Sequence, residues 1–361
     1  MNPSSSLMTD AKCQDPTTAR RLPALGLAPV LAGLGTLVLL AGLLVGATGW
    51  HWPADADEQA MLGHIIWEIR LPRSLGAWAV GALLGLAGAI AQGLFRNPLA
   101  EPHLLGSSAG ASVGVALSLA AAQGFGLNWV LGGALAWWAQ ASVALAAMLG
   151  SLMAMALTLS LARGAVQTTR LLLAGIVVSV VLGAATSWIT LMGPDVLRNL
   201  QGFMMGQTGL IGWSSCTWLW AVWVVVMPLA WAMSRGLDVL SLGEETARSL
   251  GLPLGRLRAV LVLLMSLCAA VSVAQAGLIA FVGLLAPHLA RAWSRAEGGY
   301  RWHVLNASLA GGLLLALADV GSRGLMAPQD LPVGILTSVI GGVYLLARLY
   351  RRSRLEQGGL A

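Results

Sequence analysis

Long apolar runs separated by short polar connectors dominate the chain. Ten of them follow one another, at residues 25–48, 72–94, 104–122, 131–161, 171–192, 215–233, 257–275, 277–292, 303–323 and 332–350. A helix needs about 20 predominantly apolar residues to cross the hydrocarbon core of a bilayer. The pattern therefore predicts an all-α polytopic membrane protein with about ten transmembrane helices. One ten-helix domain, 25–350, sits between an N-terminal tail, 1–24, and a C-terminal tail, 351–361. Residues 257–292 form one long apolar stretch, which the reading splits into two helices around Gly277.

Two connectors are more than links. Segment 193–213 is semi-apolar, as expected of a short helix lying at or dipping into the membrane. Segment 234–258 is the largest loop on its side. Within it, Ser241-Leu242-Gly243-Glu244 reads as a capping box, in which a hydroxyl and a carboxylate satisfy free N–H groups of a first helical turn. Gly251 and Pro253 supply a stop. A polar helix is predicted over 242–250, followed by a basic re-entry at Arg256 and Arg258.

Composition agrees. The chain is 57% hydrophobic and 10% charged, against roughly 25% charged in a soluble domain. That excludes a soluble globule and a disordered chain. Three cysteines, Cys13, Cys216 and Cys268, show no pairing pattern, which excludes a disulfide scaffold. The net charge of +6 is spread over short loops and is almost all Arg, so no nucleic-acid partner is expected. The first apolar run is too long for a signal h-region. With the N-terminus inside, all but four of the 21 basic residues fall in inner segments; Arg70, Arg73, Arg198 and Arg323 fall outside. This bias places both termini in the cytoplasm and favours an even number of spans.

No catalytic constellation appears: the chain has no phosphate-binding Gly-rich loop followed by Lys-Ser/Thr, no nucleophile elbow and no HExxH. The histidines, His51, His64, His103, His288 and His303, lack metal-ligand spacing. No catalytic, cofactor-binding or metal site is expected. Asp319 is the most interior carboxylate, with Arg323 one turn later as an intrahelical partner. An ion-coupled carrier needs a central carboxylate, and none is found. An intramembrane enzyme lacks convergent ionisable groups, and a structural or receptor protein has no need of the capped inner helix.

Arg96-Asn97-Pro98-Leu99-Ala100-Glu101-Pro102 ends one helix and starts another with a stiff, polar turn. The series Gly81, Gly85, Gly88 and Gly106, Gly110, Gly114 predict close helix packing. Trp50, Trp52, Trp67, Trp213 and Trp218 lie near span ends, as in an interfacial belt. A weak internal echo links Arg70-Leu-Pro-Arg73 leading to Gln92 with Arg256-Leu-Arg258 leading to Gln275, in helices of opposite direction, as in an inverted repeat.

Taken in order, these motifs resemble the permease subunits of ABC importers for ferric siderophores, haem and cobalamin. The resemblance runs from Arg70-Leu-Pro-Arg73 and Gly88 through Gln92 to Arg96 through Pro102, with Leu105-Gly106 and Ser108 through Ala111. It continues with Leu242 through Gly251, Phe281 through His288 with Arg291, Asp319 with Arg323, and Leu331 through Gly334. It covers residues 60 to 350. It implies ten helices per subunit, a homodimer in the bacterial inner membrane, and two cytoplasmic ATP-binding subunits that carry ATP and Mg. Those subunits would dock on Leu242, Gly243, Glu244, Glu245, Ala247, Arg248 and Gly251. A periplasmic substrate-binding protein would dock on Arg70, Arg73 and Arg323. The turn holding Arg96, Asn97, Pro98, Glu101 and Pro102 would lie at the cytoplasmic end of the pathway, and Pro287, His288 and Arg291 would form a helix-end motif. The implied function is ATP-driven import of an iron chelate, a ferric siderophore, with haem or cobalamin as alternative cargo. The long N-terminal tail and Phe203-Met-Met-Gly-Gln-Thr-Gly209 depart from many relatives.

Overall fold

The structure, a computed structural model, describes residues 24–46, 49–50, 56–124, 136–162, 168–191, 193–294, 299–326 and 328–358. The N-terminal tail expected from the sequence lies outside the described residues up to Ala24, where the first helix begins. The helices are α1 (Ala24–Leu44), α2 (Ala56–Ile65), α3 (Leu71–Phe95), α4 (Ser107–Gly124), α5 (Ala136–Leu161), α6 (Thr168–Thr190) and α7 (Pro194–Met204). They continue with α8 (Trp213–Ser241), α9 (Glu244–Ser249), α10 (Leu254–Ala276), α11 (Val282–Trp293), α12 (Gly299–Gly324) and α13 (Val333–Gly358). One π turn, Ile66–Arg70, joins α2 to α3, and a 3₁₀ turn, Pro102–Leu105, precedes α4. Val45–Gly46 and Gly49–Trp50 form a two-stranded antiparallel ladder after α1.

Each of the ten apolar runs contains one of these helices. Among the described residues, seven helical segments are long and apolar enough to cross a membrane: 26–44, 61–95, 142–161, 169–190, 213–241, 254–276 and 299–324. The apolar part of α13 is shorter, 333–348, and α11 has only 12 residues. Two boundaries differ most from the sequence reading. Helix α8 runs on to Ser241, because Leu237 and Leu240 still find core partners. Helix α13 runs to Gly358, past residue 350 where the tail was placed, with nothing in Arg351-Arg-Ser-Arg-Leu that breaks a helix.

Helix α3 is the axis of the molecule, with nearly every residue from Pro72 to Phe95 buried. Water does not drive helices together in lipid, so close contact depends on small residues. The glycines supply it. A Cβ at Gly81 would strike the Gly311 carbonyl, one at Gly85 the Ala307 carbonyl, and one at Gly88 the Gly283 carbonyl. The first two contacts show that α12 runs antiparallel to α3. Gly110 and Gly114 approach the carbonyls of Gly150 and Ala146 in the same way and lock α4 to α5. By contrast α6 and α13 present apolar side chains outward, among them Leu173, Val180, Val343 and Leu346 at 60% exposure or more.

The break at Gly277 falls where it was expected. Gly277 has φ +72° and packs against the Phe203 carbonyl. The Leu278 N–H donates to that same carbonyl at 3.2 Å, and the Gln207 N–H donates to the Ala276 carbonyl at 2.7 Å. Residues 277–281 link α10 to α11 without helical structure, hydrogen-bonded to the end of α7 and the loop after it, and such backbone is tolerated at membrane depth when protein surrounds the chain. Trp67 and Trp213 pair at 5.3 Å between ring centroids, and the Trp213 indole N–H donates to the Trp67 carbonyl. A second tryptophan cluster was not foreseen: Trp78 stacks on Trp220 at 5.1 Å and meets Trp223 edge-on.

Candidate functional site

Helix α9 is a six-residue polar helix held out from the body. Ala247 is fully buried and anchors it, while Glu245, Thr246, Arg248 and Ser249 are exposed. Leu242 and Leu250 flank it at 68% and 62% exposure. Two large apolar side chains beside a mixed-charge helix make a surface suited to a protein partner. The C-terminal stop is as predicted. Gly251 has φ +78°, its N–H donates to the Arg248 carbonyl at 2.9 Å, and the Leu252 N–H donates to the Ala247 carbonyl at 3.2 Å. This is a Schellman motif. The predicted capping box is not formed. Ser241 belongs to the last turn of α8 and donates to the Asp238 carbonyl, while Gly243 occupies the N-cap with φ +117°. Only a glycine makes so sharp a reversal at low cost, and it turns Ser241 away from α9.

Glu244, released from capping, forms an ion pair with Arg258 on α10, whose side chain is 3% exposed. A second tie leaves from the end of α8. The Asp238 carboxylate accepts the Tyr300 N–H at 2.7 Å, capping the start of α12, and the Tyr300 hydroxyl donates to the Ala89 carbonyl of α3 at 2.8 Å. The α8–α9 corner is thereby fastened to α10 by one carboxylate and to α12 and α3 by another.

The Arg96–Pro102 turn is built as its residue types suggest. Arg96 takes the left-handed conformation, φ +48°, and closes α3 through bonds from the 96 and 97 amides to the carbonyls of Gly93 and Gln92. The Asn97 side chain accepts the Leu99 N–H at 2.9 Å. Glu101 reaches further. Its carboxylate accepts the Phe281 N–H at 3.0 Å, at the N-cap of α11, where Phe281 itself sits at φ +68°. A carboxylate suits the positive end of a helix dipole. Close by, the Gln92 amide donates to the Leu284 carbonyl at 3.1 Å and accepts from Arg291, whose other arm lies 3.3 Å from His303 Nε2. Glu101→Ala should strip the partner from a strained N-cap and cost about 1–2 kcal/mol. Thermal unfolding in detergent checks this, with Asn97→Ala, at an exposed turn, expected to shift less.

The arginines named for docking are partly or largely enclosed. Arg73 is 8% exposed and Arg323 only 2%. Arg73 Nε donates to Asp319 at 3.0 Å and its Nη1 to Asp330 at 2.6 Å. Arg323 pairs with the other Asp319 oxygen and donates to Ser74 at 3.0 Å and to the Gly42 carbonyl at 2.8 Å. Thr208 donates to Asp319 at 2.5 Å. Two guanidiniums and two carboxylates close a neutral clasp over α1, α3, the loop after α7 and α12. The expected Asp319–Arg323 pair is present, and Arg73 and Arg323 are both buried in it. Arg70 is half-buried and donates to the Leu43 carbonyl at 2.9 Å. Arg198 is the exposed one, 3.8 Å from Asp195 with an 82% exposed side chain.

Sequence reasoning missed Asp238, Thr208 and Asp330, which act across the fold on partners up to 257 residues away. Arg73 and Arg258, the two matching arginines of the weak echo, are both buried and each holds a carboxylate. A cavity of about 550 Å³ lies among α4, α5, α7 and the end of α10. Its polar lining is the side-chain amides of Asn199, Gln207 and Gln275, with no charged side chain.

A bundle of long apolar helices closely packed at glycines, with one polar helix held outside it, defines a multi-pass membrane permease. The sequence profile of the FecCD transport family matches residues 33–351, and the chain belongs to that family. The vitamin B12 import system permease protein BtuC of Salmonella paratyphi A is 38% identical over 326 residues, covering 90% of this chain and 95% of that protein. The BtuC of Salmonella typhi matches to the same extent. Among solved structures, an inward-facing metal-chelate type ABC transporter superposes with a TM-score of 0.78 at 26% identity, over 90% of this chain and 98% of that one. PsaBC from Streptococcus pneumoniae in complex with Fab shares the fold, with a TM-score of 0.52 at 17% identity over 80% and 94% of the two chains. The chain is thus an ABC importer permease and not an enzyme.

Proposed function

We propose that this permease carries a metal chelate across the bacterial inner membrane, driven by ATP and Mg on two separate cytoplasmic subunits that dock on α9. The observation that carries the reading is α9 itself: a capped, partly apolar helix outside the core, tied by Glu244 and Asp238 to the helices packed on α3. Closure of the ATP-binding pair would push α9. The two carboxylate ties would pass that displacement to α10 and α12, whose glycine-lined contacts permit discrete rearrangements. Ten spans with both ends inside fit the ten apolar runs and the arginine bias. A homodimer fits the apolar faces left open on α6 and α13, and a periplasmic binding protein would dock on the outer side.

Cobalamin is the cargo placed first, because the BtuC relatives align over nearly the whole chain. The uncharged, amide-lined cavity suits a cargo rich in carboxamides. A ferric siderophore is the second reading, favoured by the likeness to a metal-chelate type transporter. The docking assignment is tested by Leu242→Asp and Leu250→Asp. Each should weaken association with the ATP-binding subunit by about tenfold or more, as loss of an apolar anchor does, while the permease inserts normally. Unchanged association in both variants would remove α9 as the contact.

A further inference from the structure

We propose that a cleft at the inner ends of α11 and α13 binds an oxyanion, a phosphate or carboxylate group, between Arg291 and Arg348. The cleft is a separate cavity of about 630 Å³, and Pro98, His288, Tyr344 and Ala347 complete its walls. No carboxylate lines it. Every ion pair among the described residues lies elsewhere, on Arg73, Arg198, Arg258 and Arg323. The contacts of Arg291 are with uncharged groups, the Gln92 carbonyl oxygen, the His303 ring and the Tyr300 side chain. Arg348 is exposed and has no carboxylate within ion-pair distance among the described residues. Among the described residues, two guanidiniums therefore share one cavity without a countercharge.

His288 strengthens the assignment. It is 7% exposed, its Nδ1 is buried with no hydrogen-bond partner, and its ring stands edge-on to Tyr344 at 5.7 Å between centroids. A buried polar atom is ordinarily satisfied, so the enclosed Nδ1 leaves this wall of the cleft with an unmet hydrogen bond. A guanidinium presents its donors as a planar fork that matches a phosphate or carboxylate. The helix-end motif Pro287, His288 and Arg291 thereby acquires a role: it places one cation and one ring nitrogen against α13.

Two sources share this chemistry. One is the headgroup of an anionic phospholipid in the inner leaflet, since basic pockets between transmembrane helices on the cytoplasmic side hold such headgroups. The outward apolar residues Val343 and Leu346, at 62% and 68% exposure, would then lie along its acyl chains. The other is a free phosphate. The inference rests on the inner-side orientation and is independent of cargo and of ATP.

The test uses the full-length permease, delipidated in a neutral detergent. Native mass spectrometry measures binding of phosphatidylglycerol against phosphatidylcholine, and calorimetry measures inorganic phosphate. Phosphatidylglycerol should bind in preference to phosphatidylcholine, and Arg348→Gln should weaken it about fivefold. Arg348→Lys should retain most of the binding, and Arg301→Gln, an exposed inner arginine away from the cleft, should change nothing. Because Arg348 is exposed, thermal unfolding should be unaltered in its variants. Phosphate binding that Arg348→Gln abolishes, with no lipid preference, would assign the site to a free anion. Absence of binding by both probes to the wild type, or equal phosphatidylglycerol binding by wild type and Arg348→Gln, would overturn the proposal.

Discussion

Asp319→Ala should destabilise the permease by about 3–5 kcal/mol, the cost of removing one member of a buried charge network. Asp319 is 1% exposed and accepts from Arg73, Arg323 and Thr208 together. Without it, Arg323 is left as a buried guanidinium with only a hydroxyl and main-chain carbonyls, and Arg73 keeps only Asp330. Asp330→Ala should cost far less, about 0.2–1 kcal/mol, because its side chain is 40% exposed and water can replace it. The double variant Asp319→Leu/Arg323→Met removes both charges of the pair and should recover more than half of the loss, since an apolar replacement of a buried pair is often neutral. Thermal unfolding of the four proteins in one detergent measures this. Equal shifts for Asp319→Ala and Asp330→Ala would show that the clasp does not hold the outer end together. The same series separates stability from docking, because an arginine buried in a clasp affects a partner only through the fold.

The second large effect is expected at Asp238, far from the clasp. Asp238→Ala should reduce cargo moved per ATP hydrolysed by about tenfold, the worth of one charge-assisted hydrogen bond of about 1.5 kcal/mol. ATP hydrolysis itself should persist, because α9 and its apolar flanks remain. The physical reason is the position of the carboxylate: it lies three residues before the end of α8 and caps the first turn of α12. Asp238→Asn retains an acceptor oxygen and should recover much of the coupling. Transport per ATP that is the same in wild type and Asp238→Ala would show that α12 is not driven through this bond.

Much of this architecture was legible in the sequence, for identifiable reasons. Apolar runs of bilayer length are a strong signal, and each contains a helix. Gly277 marked the break between α10 and α11 because a left-handed residue is needed there, and Gly251 marked the end of α9 for the same reason. The glycine series announced close contacts, and the carbonyls of Gly311, Ala307 and Gly283 fill them. What was not legible is pairing across the fold. Ser241 and Glu244 have capping-box spacing, but the φ of +117° at Gly243 separates them, and Glu244 instead meets Arg258. Arg73 and Arg323 read as outward charges because each stands at the outer end of a helix. Asp319 was legible as a partner of Arg323 one turn away, but its bonds to Arg73 and Thr208 come from distant segments. Phe281 in a left-handed conformation has no sequence signature at all, and only the Glu101 carboxylate against its N–H accounts for it.

The most direct measurement of the whole account is uptake into proteoliposomes that contain this chain with the ATP-binding subunit that co-purifies with it. Cobalamin and a ferric siderophore, each loaded on its periplasmic binding protein, are offered on the outer side. Accumulation of one metal chelate is expected only when ATP is enclosed with the ATP-binding subunit. It should fall in Leu242→Asp and be indifferent to a proton or sodium gradient. Accumulation driven by an ion gradient, without ATP and unaffected by Leu242→Asp, would contradict an ATP-driven permease coupled through α9.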